Sequence, residues 1–358
     1  MSVSVFTRLT LAAASVAGLI ALSGGPVYTQ DSVRPVNDGP NPYRTIRNWG
    51  TMPAGRQWGA ASGIDIDRDG RSVWVADRCG TSCAGSTLDP ILKFDESGKL
   101  VRSFGAGMFA WPHSIHVDQE GNVWVVDARR TTPEELKKFP GEKPKGNIVV
   151  KFSPEGKVLL TLGKSGVTGD PPEAFTDPND VVTAPNGDIY VSESHTNLES
   201  TPNAVARISV FDKSGKFIRT FGKLGSGPGE FRTPHAMVFD SRGRLIVADR
   251  ANHRVQVLDK DGRFLAEFKD FSRVSGLTID RNDTIYASDS ESDAKRHPGW
   301  RKGVRIGNLK DGKVAAFIPG HETDSPDGAA GEGIALDSAG NLYAAEVTVR
   351  GVTKYVKQ

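Results

Sequence analysis

"PHAMVFDSRGRLIVAD", residues 234–249, carries the pattern that sets the fold. An apolar run closes on Asp240, an Asp-x-x-Gly turn follows, and a second apolar run closes on Asp249. Run, turn and run is the signature of a β-hairpin. The pattern recurs as "PHSIHVDQEGNVWVVD" (112–127), "PNDVVTAPNGDIYVSE" (178–193), "VSGLTIDRNDTIYASD" (274–289) and "GEGIALDSAGNLYAAE" (331–346). A first copy, "ASGIDIDRDGRSVWVAD" (61–77), has one extra residue in its turn. Between copies lie further strand-like pieces such as "RVQVLDKDGRFLAEF" (254–268), so each unit reads as a four-stranded antiparallel sheet. Six such units predict an all-β, six-bladed β-propeller. "YRTIRNWG" (43–50) resembles "FIRTFG" (217–222), the outer part of a blade, and the last unit stops early at "GVTKYVKQ". The N-terminal strand is therefore expected to complete the last blade and close the ring, which removes exposed sheet edges.

Residues 1–30 stand apart from the repeats. Arg8 precedes an apolar stretch shorter than the roughly 20 residues of a membrane-spanning helix, and small residues follow. This predicts a cleaved export signal, a mature domain over 31–358, and a secreted or periplasmic location with no membrane attachment. Without Arg8 the chain carries 44 basic and 43 acidic residues. Such a balance gives no electrostatic case for nucleic acid. Cys79 and Cys83 read as a small loop disulfide, with a metal or redox pair as the alternative. "TPEELKKF" (132–139) is the best short helix candidate.

First strands line the channel of a propeller, so equivalent positions form a ring at one mouth. That ring reads Ser62, His113, Asn179, His235, Ser275 and Glu332. His113, His235 and Glu332 fall on alternate blades and converge, a ligand set for zinc, iron or manganese. Across each hairpin a second ring reads Asp77, Asp127, Glu193, Asp249, Asp289 and Glu346, expected mostly to brace loops. Arg78 and Arg250 follow two of these acids on opposite blades, where a pair of guanidinium groups suits a carboxylate or other anion. His195, just past Glu193, reads either as a general base or as a surface loop residue. His116, His253, His297 and His321 read as structural or solvated. "GKLGSGPGEF" (222–231) lacks the ending of a phosphate loop and connects two blades.

"FGKLGSGPGEFRTPHAMVFDSRGRLIVADRANHRVQVLDKDGRF" (221–264) resembles an NHL repeat, and the resemblance extends over all six units. Among NHL proteins the chain is most similar to peptidyl-α-hydroxyglycine α-amidating lyases. The resemblance implies C–N cleavage of a C-terminal α-hydroxyglycine to an amide and glyoxylate, with zinc, a structural calcium, two arginines and a tyrosine. His113 and His235 match two of the family's zinc histidines, and Arg78 and Arg250 match its arginines. Glu332-Gly333 stands where the family has His-Asp, so the calcium carboxylate is missing. His195 stands in place of the tyrosine. The implied enzyme is a monomeric, metal-dependent lyase acting on a small molecule or peptide C-terminus with a carboxylate. Two rivals are weighed beside it. One is a gluconolactonase-like, metal-dependent hydrolase with Asn179 as a ligand; the other is a non-catalytic NHL binding propeller. Two long insertions, 131–147 and 290–303, interrupt the repeats, and Trp300 of the second is expected in a cleft wall or a solvated loop.

Overall fold

A computed structural model describes residue 1 and residues 33–195, 204–321 and 328–358. The chain divides into two units, Met1–Val33 and Arg34–Gln358. Apart from its two end residues the first unit, with the expected export signal, lies outside the described residues.

Arg34–Gln358 holds six four-stranded antiparallel sheets, five of them with their strands in consecutive β-meander order. Their first strands are Ala61–Ile66, Pro112–Val117, Pro178–Thr183, Pro234–Phe239, Gly276–Ile279 and Gly333–Leu336. These line a cavity of about 400 Å³ along the axis. In the sixth sheet the outer strand is Tyr43–Trp49, paired antiparallel with Gly351–Lys357. Blades pack through their faces: Trp74, Ala76 and Ile91 of blade one meet Ile115, Val125 and Val150 of blade two. The short helix Pro133–Lys138 starts on a capping box in which Thr132 and Glu135 satisfy each other's backbone N–H groups. Among the described residues no helix is long and apolar enough to cross a membrane.

The hairpins explain where the ring residues point. Pro234 pairs with Asp249 and Ala236 with Ala248, so His235 is the extra residue of a bulge. The register shifts at the same place around Ser62, His113 and Asn179. A bulge re-aims one side chain out of the alternating pleat, here toward the axis. Five of the second-ring acids anchor the loop before the first strand of their blade. Asp77 accepts from the Gly59 and Cys79 amides at 2.7 and 2.8 Å, Asp127 from Ala110 and Trp111 at 2.8 and 2.5 Å, and Asp249 from Arg232 at 2.8 Å. Cys79 and Cys83 are joined by a disulfide in the loop after Arg78.

Gly333 is set by crowding rather than by lost chemistry. A Cβ there would lie 2.5 Å from the Ser62 carbonyl oxygen of blade one. The position that the resemblance gives to a calcium-binding aspartate is closed here by a neighbouring strand. Trp300 also departs from expectation. It is 7% exposed and lies between His297, stacked at 4.8 Å, and the guanidinium of Arg305 at 4.8 Å. It is a packing residue, neither a cleft wall nor solvated.

Candidate metal centre

His113 and His235 are almost fully buried, and each donates from Nδ1 to the backbone carbonyl of the next blade's ring residue. His113 meets Asn179 O and His235 meets Ser275 O, both at 2.8 Å. A carbonyl only accepts, so Nδ1 carries the proton and a neutral ring keeps its lone pair on Nε2. Both Nε2 atoms face Glu332 Oε1, at 3.8 Å from His113 and 3.2 Å from His235. Two lone pairs aimed at a carboxylate oxygen repel unless a cation sits between them or the rings are charged. Burial, against the pull of Glu332, pushes His113 down to about 4. Burial lowers His235 as well, with the Arg250 charge adding to it. The rings stay neutral, and the donor set fits a divalent metal ion.

Glu332 is held from its other side. Oε1 accepts from Arg250 Nη1 at 3.3 Å, and Oε2 accepts from Ser290 Oγ at 2.8 Å. Burial works to raise its pKa, but the positive charge around it, that of Arg250 included, holds it well below the usual carboxylate range.

His195 joins this group. One ligand atom each from His113, His195, His235 and Glu332 lies within 4.8 Å of every other. Its ring centre is 4.4 Å from that of His113 and 5.6 Å from that of His235. The residue is half-buried, yet its Nε2 is closed off from solvent and has no hydrogen-bond partner among the described residues; the same holds for Nε2 of His113 and His235. Ser194, with φ at 137°, turns the chain so that His195 points inward. A non-glycine residue in that conformation costs on the order of 1–3 kcal/mol. Three bonds hold it there: Ser194 N–H to Asp177 O at 2.9 Å, Oγ to Arg232 O at 3.0 Å, and the Ser194 carbonyl accepting from Asn179 Nδ2 at 2.8 Å. Burial, then the charges of His113 and Arg250, hold the His195 pKa well below its ordinary value.

The two arginines sit at the same mouth and are 4% and 6% exposed. Arg78 donates from Nε to Pro112 O at 3.2 Å, and burial draws its pKa down to about 10 against the charge of Glu332. Its Nη2 and the Nε of Arg250 have no partner among the described residues. Arg250 also lies 3.6 Å from Glu291, which Arg273 holds at 2.8 Å. Arg78 makes no ion pair with the acid before it. Its guanidinium lies flat on Trp111, 3.4 Å from the ring centre.

Trp111 is the residue that motif reading missed. Its indole also meets the His195 ring edge-on at 4.9 Å, stacks near His113 at 5.7 Å, and carries Arg129 at 5.6 Å. Arg129 in turn grips Glu135 of the short helix at 2.8 and 2.9 Å, which ties the 131–147 insertion to the mouth. The signal was an aromatic residue before one Pro-His pair where the other pair has Thr233. The axial cavity reaches His113, His235 and Glu332 at its end, while Arg78, His195 and Arg250 do not line it. His116 is engaged inside the cavity, with Nε2 at 2.9 Å from Thr183 Oγ1 and Nδ1 at 3.4 Å from Asp65, in keeping with a structural role. Asn179 donates to Ser194 O and Pro234 O, and its Oδ1 has no partner among the described residues.

Residues 201–299 match a family described as a 6-bladed beta-propeller. The chain is 32% identical over 191 residues to the peptidyl-glycine alpha-amidating monooxygenase of Mus musculus, covering 51% of this chain and 17% of that protein. It is 31% identical over 182 residues to peptidyl-alpha-hydroxyglycine alpha-amidating lyase 1 of Drosophila melanogaster, covering 48% of this chain and 30% of the other. The chain thus spans less than a third of the length of either relative. Among solved structures a gluconolactonase from Xanthomonas campestris superposes with a TM-score of 0.58 at 14% identity, over 88% of this chain and 90% of that one. At that identity the likeness is one of fold alone.

Proposed function

We propose that the chain is a metal-dependent lyase that cleaves the C–N bond of a C-terminal α-hydroxyglycine or a close analogue, releasing glyoxylate. One observation carries the reading: imidazole nitrogens and arginine N–H groups with no partner among the described residues meet at a single mouth. The first set suits a divalent transition metal, zinc before others, and the second suits a carboxylate. His113, His235 and Glu332 would hold the ion. When bound, it supplies Lewis-acid polarisation of a hydroxyl oxygen. Arg78 and Arg250 clamp the substrate carboxylate, and Trp111 keeps the Arg78 plane fixed. Loss of the hydroxyl proton forms the C=O of glyoxylate as the C–N bond breaks, and the departing nitrogen takes up a proton, so no water is consumed. The lyase named among the relatives supports this chemistry. The loop disulfide supports a location outside the cytoplasm.

The test is metal content of the untagged mature protein, followed by glyoxylate release from a peptide ending in α-hydroxyglycine. One transition-metal ion per chain and turnover that is lost in Arg250→Met supports the reading. Metal-loaded protein that releases no glyoxylate overturns it. A lactone hydrolase is the second reading, favoured by the free Oδ1 of Asn179 beside the cluster. It requires lactone turnover and loss of metal in Asn179→Ala.

A further inference from the structure

We infer that His195 is a ligand of the metal centre rather than its general base, making a set of three histidines and one glutamate from blades two, three, four and six. The inference rests on the metal-dependent reading above and concerns how that site is built.

Distance separates the two roles. Tetrahedral ligands at about 2.0–2.1 Å from a zinc ion stand about 3.4 Å apart. A base that takes a proton from an atom bound to the ion stands one contact further out, and more than that from ligands on the far side. His195 offers a nitrogen within 4.8 Å of all three other ligand atoms, nearer than a base one contact beyond a bound atom would stand from the ligands on the far side. A modest inward movement of the four side chains brings all four onto one ion, which can expand to five ligands to take the substrate hydroxyl.

The local backbone points the same way. The strained turn at Ser194 is held by three hydrogen bonds, including one from Asn179 of the ligand ring. That places the imidazole firmly, as a ligand needs. The Trp111 edge packs against its other side. Blade six supplies a carboxylate where a histidine would make a third imidazole, and blade three restores that imidazole from outside the ring. The resulting N₃O set suits zinc and the later first-row divalent ions over magnesium or calcium. The proton acceptor of the reaction is then a group other than His195.

The experiment uses the mature protein stripped with a chelator and reloaded with cobalt(II) or zinc(II). Wild type, His195→Ala and the His113→Ala/His235→Ala double variant are compared by the cobalt absorption spectrum and by zinc competition against a chromogenic chelator. Thermal unfolding of each metal-free variant confirms its fold. The expected result is one ion per wild-type chain, zinc affinity lower by about a thousandfold or more in His195→Ala, beyond the roughly 10–100-fold range for a residue that only supports a ligand, with an altered cobalt spectrum, and no binding in the double variant. A His195→Ala variant that binds both ions as wild type does, yet has lost turnover, overturns the inference and leaves the lyase reading standing. Wild-type protein that binds neither ion overturns both.

Discussion

Glu346→Gln tests the one second-ring acid whose oxygens have no hydrogen-bond partner among the described residues. The other five accept hydrogen bonds from amides, hydroxyls or arginines of their own blades. Glu346 is 1% exposed, and neither of its oxygens has a hydrogen-bond partner among the described residues. His321 Nε2 stands 3.8 Å away. Burial, ahead of the opposing pulls of the Thr353 side chain and the Arg47 charge, pushes the Glu346 pKa from 4.5 up to about 7. Below pH 4.5 both folded and unfolded chains hold the proton, and the group costs nothing. As pH rises from 4.5 through 7 the unfolded chain sheds its proton first, so the fold loses stability; above 7 the loss is constant. The gap corresponds to roughly 3 kcal/mol at about 1.4 kcal/mol per pH unit. Glutamine keeps the shape, cannot ionise, and can donate to His321. At pH 8 the variant should be more stable than wild type by roughly 3 kcal/mol, and at pH 5 by less than about 1 kcal/mol. For a unit of this size that is about 4 °C in Tm. Thermal unfolding of both proteins at pH 5, 6, 7 and 8 reads the difference directly. A Tm gap that does not widen with pH, or a glutamine variant less stable at pH 8, refutes the reasoning.

Three more perturbations have defined outcomes. Arg254 is 4% exposed and binds Asp249, Glu267 and the carbonyls of Ser226, Gly227 and Glu230, so Arg254→Met strands buried acceptors. The expected cost is about 3–5 kcal/mol, and a Tm fall below 1 °C by calorimetry would count against it. Trp111→Ala should leave metal content unchanged while weakening binding of glyoxylate by about 3–30-fold, the worth of a cation–π contact, and Trp111→Phe should recover most of it. Equal glyoxylate affinity in all three proteins would show that Trp111 does not position Arg78. Gly333→Asp places a Cβ 2.5 Å from the Ser62 carbonyl. It should destabilise the fold by about 1–3 kcal/mol without conferring calcium-dependent stabilisation, and a rise in Tm on adding calcium would refute the crowding account.

The fold was legible because its information is local and repeated. Asp-x-x-Gly turns at matching places in four of the six units mark hairpins without knowledge of any distant contact. The ring of His113, His235 and Glu332 could be read for the same reason, since a repeat gives each residue the address of its counterparts. The bulges that turn His113, Asn179 and His235 toward the axis left no mark beyond the proline before each. What escaped reading are residues whose part depends on a neighbouring blade. Trp111 matters because Arg78 of blade one lies on its face, and Gly333 because a blade-one carbonyl leaves no room for a side chain. Glu346 looks the same in sequence as the five acids that brace loops, and only the missing partners set it apart. His195 shows the limit most sharply. Its place just after a second-ring acid put it at the mouth, where base and ligand are equally good readings. The choice turns on a few ångströms between nitrogens on three different blades, set by a strained serine whose conformation no residue pattern announces. Position in a repeat therefore says which residues share a site, and the contacts between repeats say what each of them does there.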